Sequence, residues 1–245
     1  MTVPIQHLLI SDLDDTLLGD DAALNEFAAR VAQWPGFVLA YASGRSCASI
    51  RKSVETTGLP APLALMGSMG TVIEHYPGTE AFGDWPEARA ERWAADGVRS
   101  ALEQAGRLTL QPESEQATFK VSYFCPDATE DELQRYLEML TEAAIDANYI
   151  YSSRRDLDFL PAGVDKGTAA AYLADALNVP ANLVFVAGNS ANDTALFNHG
   201  FNGIVVGNAH DELKDHGRQR DAYLATRSHA AGVLEGIEYH LKHGA

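Results

Sequence analysis

Uninterrupted apolar runs at residues 8–10, 37–41, 63–66, 183–187 and 203–206 constrain this chain more than any other feature. A strand with one wet face alternates apolar and polar residues, whereas a strand covered on both faces does not. Helical stretches lie between these runs. One is expected over residues 20–34, acidic at its start and closed by Pro35-Gly36, with others over 51–57 and 167–177 and one opening at Asp193. Strands buried on both faces and alternating with helices predict an α/β fold with a doubly wound parallel sheet.

The pattern is interrupted once. Residues 77–86 are rich in Gly, Pro and acidic side chains and read as a linker. Beyond it a helix is expected over 87–106, strands over 108–110 and 119–124, a helix over 130–144, and strands over 147–151 and 156–160. This order predicts a smaller α+β cap domain with a mostly antiparallel sheet. It occupies residues 84–160 and is inserted into a core formed by 1–83 and 161–245.

Apolar residues make up 46% of the chain, enough to bury a core. The net charge of −16 excludes a reader of nucleic-acid backbone, which needs a basic face, and any anionic substrate would need a local positive pocket. Cys47 and Cys125 lack metal-type spacing and read as reduced thiols, although one disulfide between them is open. No run approaches the ~20 apolar residues of a membrane span. The start, Met1-Thr2-Val3-Pro4-Ile5-Gln6-His7, has no basic leader region. A cytoplasmic location, no membrane partner and a monomer are expected.

Chemistry-bearing residues gather at the carboxyl ends of the expected strands, where open α/β sheets collect their ligands. Ser11-Asp12-Leu13-Asp14-Asp15-Thr16 places two carboxylates one residue apart, a closeness that calls for a cation or a shared proton. Ser43-Gly44-Arg45 follows the second strand. Lys166, in Asp165-Lys166-Gly167, opens a helix, where a positive charge is out of place unless an anion is near. Gly188-Asn189-Ser190-Ala191-Asn192-Asp193 follows a later strand. Taken singly, each segment reads equally as a solvated turn, a helix cap or a surface lysine.

Taken in order, the four segments resemble the haloacid dehalogenase superfamily of phosphohydrolases, with its Asp-x-Asp-x-Thr, Ser/Thr, Lys and Gly-Asp-x-x-x-Asp pattern. The insertion between the second and third segments resembles the α/β cap of the sugar-phosphatase branch. The chain looks most like sucrose-phosphate phosphatase and its relatives. That likeness is carried by Leu9-Ile10-Ser11-Asp12-Leu13-Asp14, Leu39-Ala40-Tyr41-Ala42-Ser43-Gly44-Arg45-Ser46, Tyr151-Ser152-Ser153 with Asp156-Leu157-Asp158-Phe159-Leu160-Pro161, and Gly203-Ile204-Val205-Val206-Gly207-Asn208-Ala209.

The resemblance implies a Mg²⁺-dependent phosphatase of a small sugar phosphate, with Asp12 as nucleophile and Asp14 as acid and then base. It implies phosphate binding by Ser43, Gly44 and Lys166. It implies a metal site of Asp12, Asp14 through its carbonyl, Asn189 and Asp193, the last also orienting Lys166. Arg45, Lys120, Arg154, Asp158 and Asn192 are candidate contacts to the sugar, and surface ion pairs explain the cap residues equally well. Closure of the cap on hinges near Gly83 and Gly163 is expected.

Two departures from the family pattern matter. Asn189 stands where an aspartate is usual, which removes one negative charge from the metal site and opens the reading of a weak enzyme or a sugar-phosphate-binding protein. Gly70-Thr71-Val72 stands where sucrose-phosphate phosphatases carry a sugar-binding glutamate, so the substrate is sucrose 6-phosphate or another glycosyl phosphate, such as mannosylfructose phosphate or glucosylglycerol phosphate. A phosphomutase shares the aspartyl-phosphate chemistry, but the mutases of this scaffold carry other caps.

Overall fold

The first strand, β1 (His7–Ser11), is buried along nearly its whole length and runs straight into the aspartate cluster. The structure, a computed structural model, describes residues 4–244. The first residues of the segment read for a leader, and residue 245 of the expected core, lie outside the described residues.

Helix α1 (Asp21–Val31) follows, capped by Asp20, whose carboxylate accepts from the N–H groups of Ala22 and Ala23. Its apolar face, Ala23, Leu24, Phe27 and Val31, has helical spacing and is buried. Gly36 then turns the chain at φ 72°, where a side chain would strike the Pro4 carbonyl. Next come β2 (Phe37–Ala42), α2 (Cys47–Thr56), β3 (Ala64–Gly67) and β4 (Val72–His75).

The chain then enters the second unit with α3 (Ala95–Leu102), β5 (Thr109–Leu110), β6 (Val121–Phe124), α4 (Glu130–Glu142), β7 (Ala147–Ser152) and β8 (Asp156–Pro161). It returns through α5 (Lys166–Ala176), β9 (Val184–Gly188), a 3-10 segment Ala191–Asn198, β10 (Asn202–Val205), α6 (Asp211–Gln219), β11 (Tyr223–Leu224) and α7 (His229–His243).

The described residues form two compact units, residues 4–82 with 166–244 and residues 83–165. The core unit holds a seven-stranded sheet in the order β11-β10-β9-β1-β2-β3-β4. Every pairing in it is parallel except β4 against β3. This is the predicted doubly wound α/β architecture. Ser11 at the end of β1 pairs with Tyr41 on one side and Ala187 on the other. The loops after β1, β2 and β9 therefore leave the sheet side by side.

The second unit has a four-stranded antiparallel sheet, β5-β6-β8-β7. Helices α3 and α4 contribute Val98, Leu102, Leu133, Tyr136 and Leu140 to a core shared with Val121, Leu157 and Phe159. A capping box between Thr129 and Glu132 starts α4, and its buried stripe holds it to the sheet. Truncating Leu140 to Ala there would cost about 2–5 kcal/mol.

The structure departs from the sequence reading in several elements. Residues 161–165 belong with the second unit, not the core, because Ala162 N–H donates to the Asp146 carbonyl and Asn148 Nδ2 to the Val164 carbonyl. The single helix expected over 87–106 is broken: Ala94 is extended, and Trp93 turns out to donate its indole N–H to the Thr118 carbonyl. Residues 72–75 form an antiparallel edge strand where none was expected, and α6, β11 and α7 were not foreseen. Cys47 and Cys125 are free and buried, each in a different unit. No described helix is long and apolar enough to cross a membrane.

Candidate active site

Lys166 is fully buried, and its ammonium makes the central contacts of the core unit's polar cluster. Nζ donates to Asp12 Oδ1 at 2.8 Å and to Asp193 Oδ1 at 2.7 Å. Asn192 Oδ1 lies 3.5 Å away. Gly167 makes this seat available: a Cβ there would lie 2.1 Å from the Ala195 carbonyl oxygen, so only glycine lets α5 approach the 3-10 segment so closely.

Asp12 is anchored through its backbone, its N–H donating to the Ala187 carbonyl at 3.0 Å. Its second carboxylate oxygen accepts from the Thr16 hydroxyl at 3.1 Å, and the same hydroxyl lies 3.2 Å from Asn189 Oδ1. Asp193 is committed on both oxygens, one to Lys166 and the other to the N–H groups of Asn189 and Ser190 at 3.0 and 3.1 Å. Gly188 leaves room for it, since a Cβ there would fall 2.5 Å from Asp193 Cβ. Ser190 Oγ donates to Asn192 Oδ1.

The charges do not cancel. Burial acts against the Lys166 ammonium more than any other single influence, yet Asp12 and Asp193 together hold its pKa above the ordinary lysine value. Burial pushes the Asp12 carboxyl up to about 7, Asp193 adds to the rise, and Lys166 opposes it. One ammonium thus serves two buried carboxylates. A cation beside Asp12 would complete the balance.

A second group of predicted residues is linked to the first through the chain. Ser43 is buried, and its hydroxyl accepts from the Arg45 N–H at 3.2 Å. Asp14, unlike Asp12, is exposed, and Arg45 Nε stands 3.1 Å from its carboxylate. Nε thus has an ion-pair partner, while Nη2 of Arg45 is buried without a hydrogen-bond partner. Gly44 faces Met69, whose Cε would lie 2.9 Å from an added Cβ. Ser68 and Met69, which follow β3, both have positive φ, at 50° and 61°, and the Met69 N–H ties this bend to the Ser43 carbonyl.

The donor set fits a hard divalent cation. Asp12 and Asn189 turn oxygens toward one hydroxyl, and the Asp14 carbonyl lies on the same loop. Oxygen-only ligation suits Mg²⁺. Within the expected set, Asp193 accepts from Lys166 and two backbone N–H groups, while the Asp12 oxygens accept from Lys166 and the Thr16 hydroxyl. Among the described residues no three His, Cys, Asp or Glu side chains group as a metal site, because the fourth segment offers an amide at Asn189.

The remaining candidates lie in the second unit. Lys120 and Asp158 are each 4% exposed, with Nζ and Oδ1 3.5 Å apart, and Ser122 Oγ donates to Asp158. Arg154 is 84% exposed at the β7–β8 turn and pairs with Asp127. Of the two readings left open for Arg154, a surface ion pair is the one the structure supplies. Thr16, absent from the predicted site residues, joins Asp12 to Asn189, and its place in the Asp-x-Asp-x-Thr run was the available signal.

Comparison with known proteins agrees with this architecture. A haloacid dehalogenase subclass IIB sugar phosphatase superposes with a TM-score of 0.67 over 97% of this chain and 98% of that one, at 14% identity, a likeness of fold alone. The fold is that of the haloacid dehalogenase hydrolases. The sucrose-6F-phosphate phosphohydrolase family matches residues 5–241, and the chain belongs to that family. A mannosylfructose-phosphate phosphatase of Agrobacterium fabrum is 32% identical over 95% of this chain and 96% of its own length. The crystal structure of a Synechocystis sucrose-phosphatase, in complex with sucrose and phosphate, superposes with a TM-score of 0.87 at 34% identity, covering 96% of this chain and 98% of that one.

Proposed function

We propose that this chain is a Mg²⁺-dependent phosphatase of a disaccharide phosphate, acting through an aspartyl-phosphate on Asp12. The observation that carries the reading is the buried Asp12–Lys166–Asp193 cluster at the ends of β1 and β9, one positive charge short of balance. The family and its sugar-phosphate-cleaving relatives support it.

Asp12 attacks phosphorus through a carboxylate oxygen, forming the acyl-phosphate bond as the bond from phosphorus to the sugar oxygen breaks. Asp14 gives its proton to that leaving oxygen. It then takes a proton from water, which attacks phosphorus, releases Asp12 and yields inorganic phosphate. Arg45, whose Nε pairs with Asp14, contacts the sugar phosphate through its guanidinium. Lys166 holds the nucleophile's orientation and supplies positive charge, while Ser43 Oγ donates to a phosphoryl oxygen. Asp12, the Asp14 carbonyl and Asn189 would hold Mg²⁺, which when bound neutralises phosphoryl oxygens so that a carboxylate can approach them.

In the cap unit, Lys120 and Asp158 contact the sugar. A buried ion pair is weak as a stabilising device, so a functional role for it is the better account. The sugar is sucrose 6-phosphate or mannosylfructose phosphate. The deciding experiment is a phosphate-release screen over these two, glucosylglycerol phosphate, trehalose phosphate and hexose phosphates. Release should require Mg²⁺ and vanish with chelator and in Asp12→Asn. Binding without hydrolysis would favour the sugar-phosphate-binding alternative raised by Asn189.

A further inference from the structure

The turn after β10 touches two loops of the site at once. Its Val206 N–H donates to the Gly188 carbonyl and its His210 N–H to the Asn189 carbonyl at 2.8 Å. Between them, Asn208 reaches the loop after β1: Nδ2 donates to the Asp15 carbonyl at 2.8 Å, while Oδ1 accepts from the His229 N–H at 2.9 Å. A carbonyl can only accept and a backbone N–H can only donate, so these partners fix the orientation of the amide. The turn itself is pinned. The Gly207 N–H donates to the Arg227 carbonyl, and a Cβ at Gly207 would lie 2.7 Å from the carbonyl oxygens of Thr226 and Arg227.

The segment Asn208 holds is strained. Asp15 has φ 57°, a left-handed conformation unusual for a residue with a side chain, and it separates Asp14 from Thr16. His229 is left-handed too, at φ 52°, and its ring packs over Gly19. Strain of this kind persists where surrounding contacts over-determine it. Were Asp15 to relax, Asp14 and Thr16 would turn away from Arg45 and Asp12.

We infer that Asn208 is a positioning residue: through the Asp15 carbonyl it holds the Asp12–Thr16 loop in its reactive shape and ties that loop to Asn189. The inference rests on the phosphatase reading above. The competing account is that Asn208 merely caps α7, since His229 is the first residue of that helix. Asn208→Asp separates the two. A carboxylate still accepts from His229 and suits a helix N-terminus, but cannot donate to Asp15.

The test is turnover of p-nitrophenyl phosphate with Mg²⁺ by wild type, Asn208→Asp and Asn208→Ala, with Mn²⁺ affinity of the wild type and Asn208→Ala read by electron paramagnetic resonance. Asn208→Asp should keep its melting temperature within about 2 °C. Both variants should lose about 30-fold in kcat with KM changed by less than about 3-fold, a pattern that charge repulsion of substrate by the new carboxylate does not produce. Asn208→Ala should bind Mn²⁺ about 10-fold more weakly. Wild-type turnover in Asn208→Asp overturns the inference, and this arm stands even if Asn208→Ala fails to fold. A wild type that cleaves no phosphate ester at all overturns the phosphatase reading instead. The tether is then judged by Mn²⁺ binding alone, and unchanged affinity in Asn208→Ala overturns it.

Discussion

Lys166 Nζ stands 2.8 Å from Asp12 Oδ1, a contact between residues 154 apart in the chain, and both side chains are almost wholly out of water. Removing the ammonium would leave Asp12 and Asp193 as buried carboxylates with no partner charge, and breaking a buried pair in this way costs about 3–5 kcal/mol. Lys166→Met should therefore lower the urea midpoint sharply as well as abolish phosphate release. Asp12→Asn should abolish release with far less loss of stability, because Lys166 keeps Asp193. Equal destabilisation by the two substitutions in urea titrations would contradict this account of the cluster.

Asn189 offers an amide oxygen next to the Asp12 carboxylate, so the proposed metal site has low charge. Asn189→Asp should tighten Mg²⁺ binding by about 10-fold, on the principle that ligand charge tunes the affinity of hard cations. The Mg²⁺ concentration for half-maximal phosphate release, and direct Mn²⁺ titration, both read the change. Affinity unaltered by the added carboxylate would remove Asn189 from the metal site.

The buried Lys120–Asp158 pair makes a prediction specific to the sugar. Asp158→Asn should raise KM for the preferred sugar phosphate by about 10-fold or more, the usual effect of losing a hydrogen bond to a charged group. Turnover of p-nitrophenyl phosphate, which has no sugar, should be unaffected. Parallel loss on both substrates would assign the pair a structural role.

His240 supplies a pH test remote from the chemistry. Burial holds its imidazole below the ordinary pKa, the Gly203 carbonyl opposes this, and His243 lowers it further. Burial lowers His7 and His216 as well, with Arg220 adding to the effect on His216. A histidine depressed in the folded state binds fewer protons there than in the unfolded chain. Its stabilising effect is complete above about pH 6.5 and is lost as pH falls below that value. Asp12, raised to about 7, acts in the opposite sense over the same range, because its folded form takes up a proton before the unfolded chain does. The test is therefore the difference between variants: as pH falls from 7 to 5, the urea midpoint of His240→Gln should rise relative to wild type. A slope identical in the variant would show that His240 is not one of the groups responsible.

Much of the core was legible in the linear chain because its strands are buried on both faces. A continuous apolar run such as residues 183–187 can hardly be anything else when bounded by turns. The edges were less legible. Residues 72–75 and 223–224 are short strands whose pairing depends on neighbours far along the chain. Residues 87–106 are helix-compatible throughout, yet Trp93 breaks the run to reach Thr118.

The site divides in the same way. Asp12, Lys166 and Asn189, which the structure brings together, stood in the short strand-end motifs that carried the family resemblance, as did Asp14 and Ser43. No motif could say that Asp193 spends both oxygens within the protein, that Arg154 pairs with Asp127 on the surface, or that Asn208 reaches Asp15. The amino-acid order by itself determined the buried strands, the inserted unit and the chemical kinds available at the site, since these follow from local apolar patterning and spacing. Only the tertiary structure decided which oxygen meets which donor, because a hydrogen bond depends on ångström-scale approach between segments that the chain order leaves far apart.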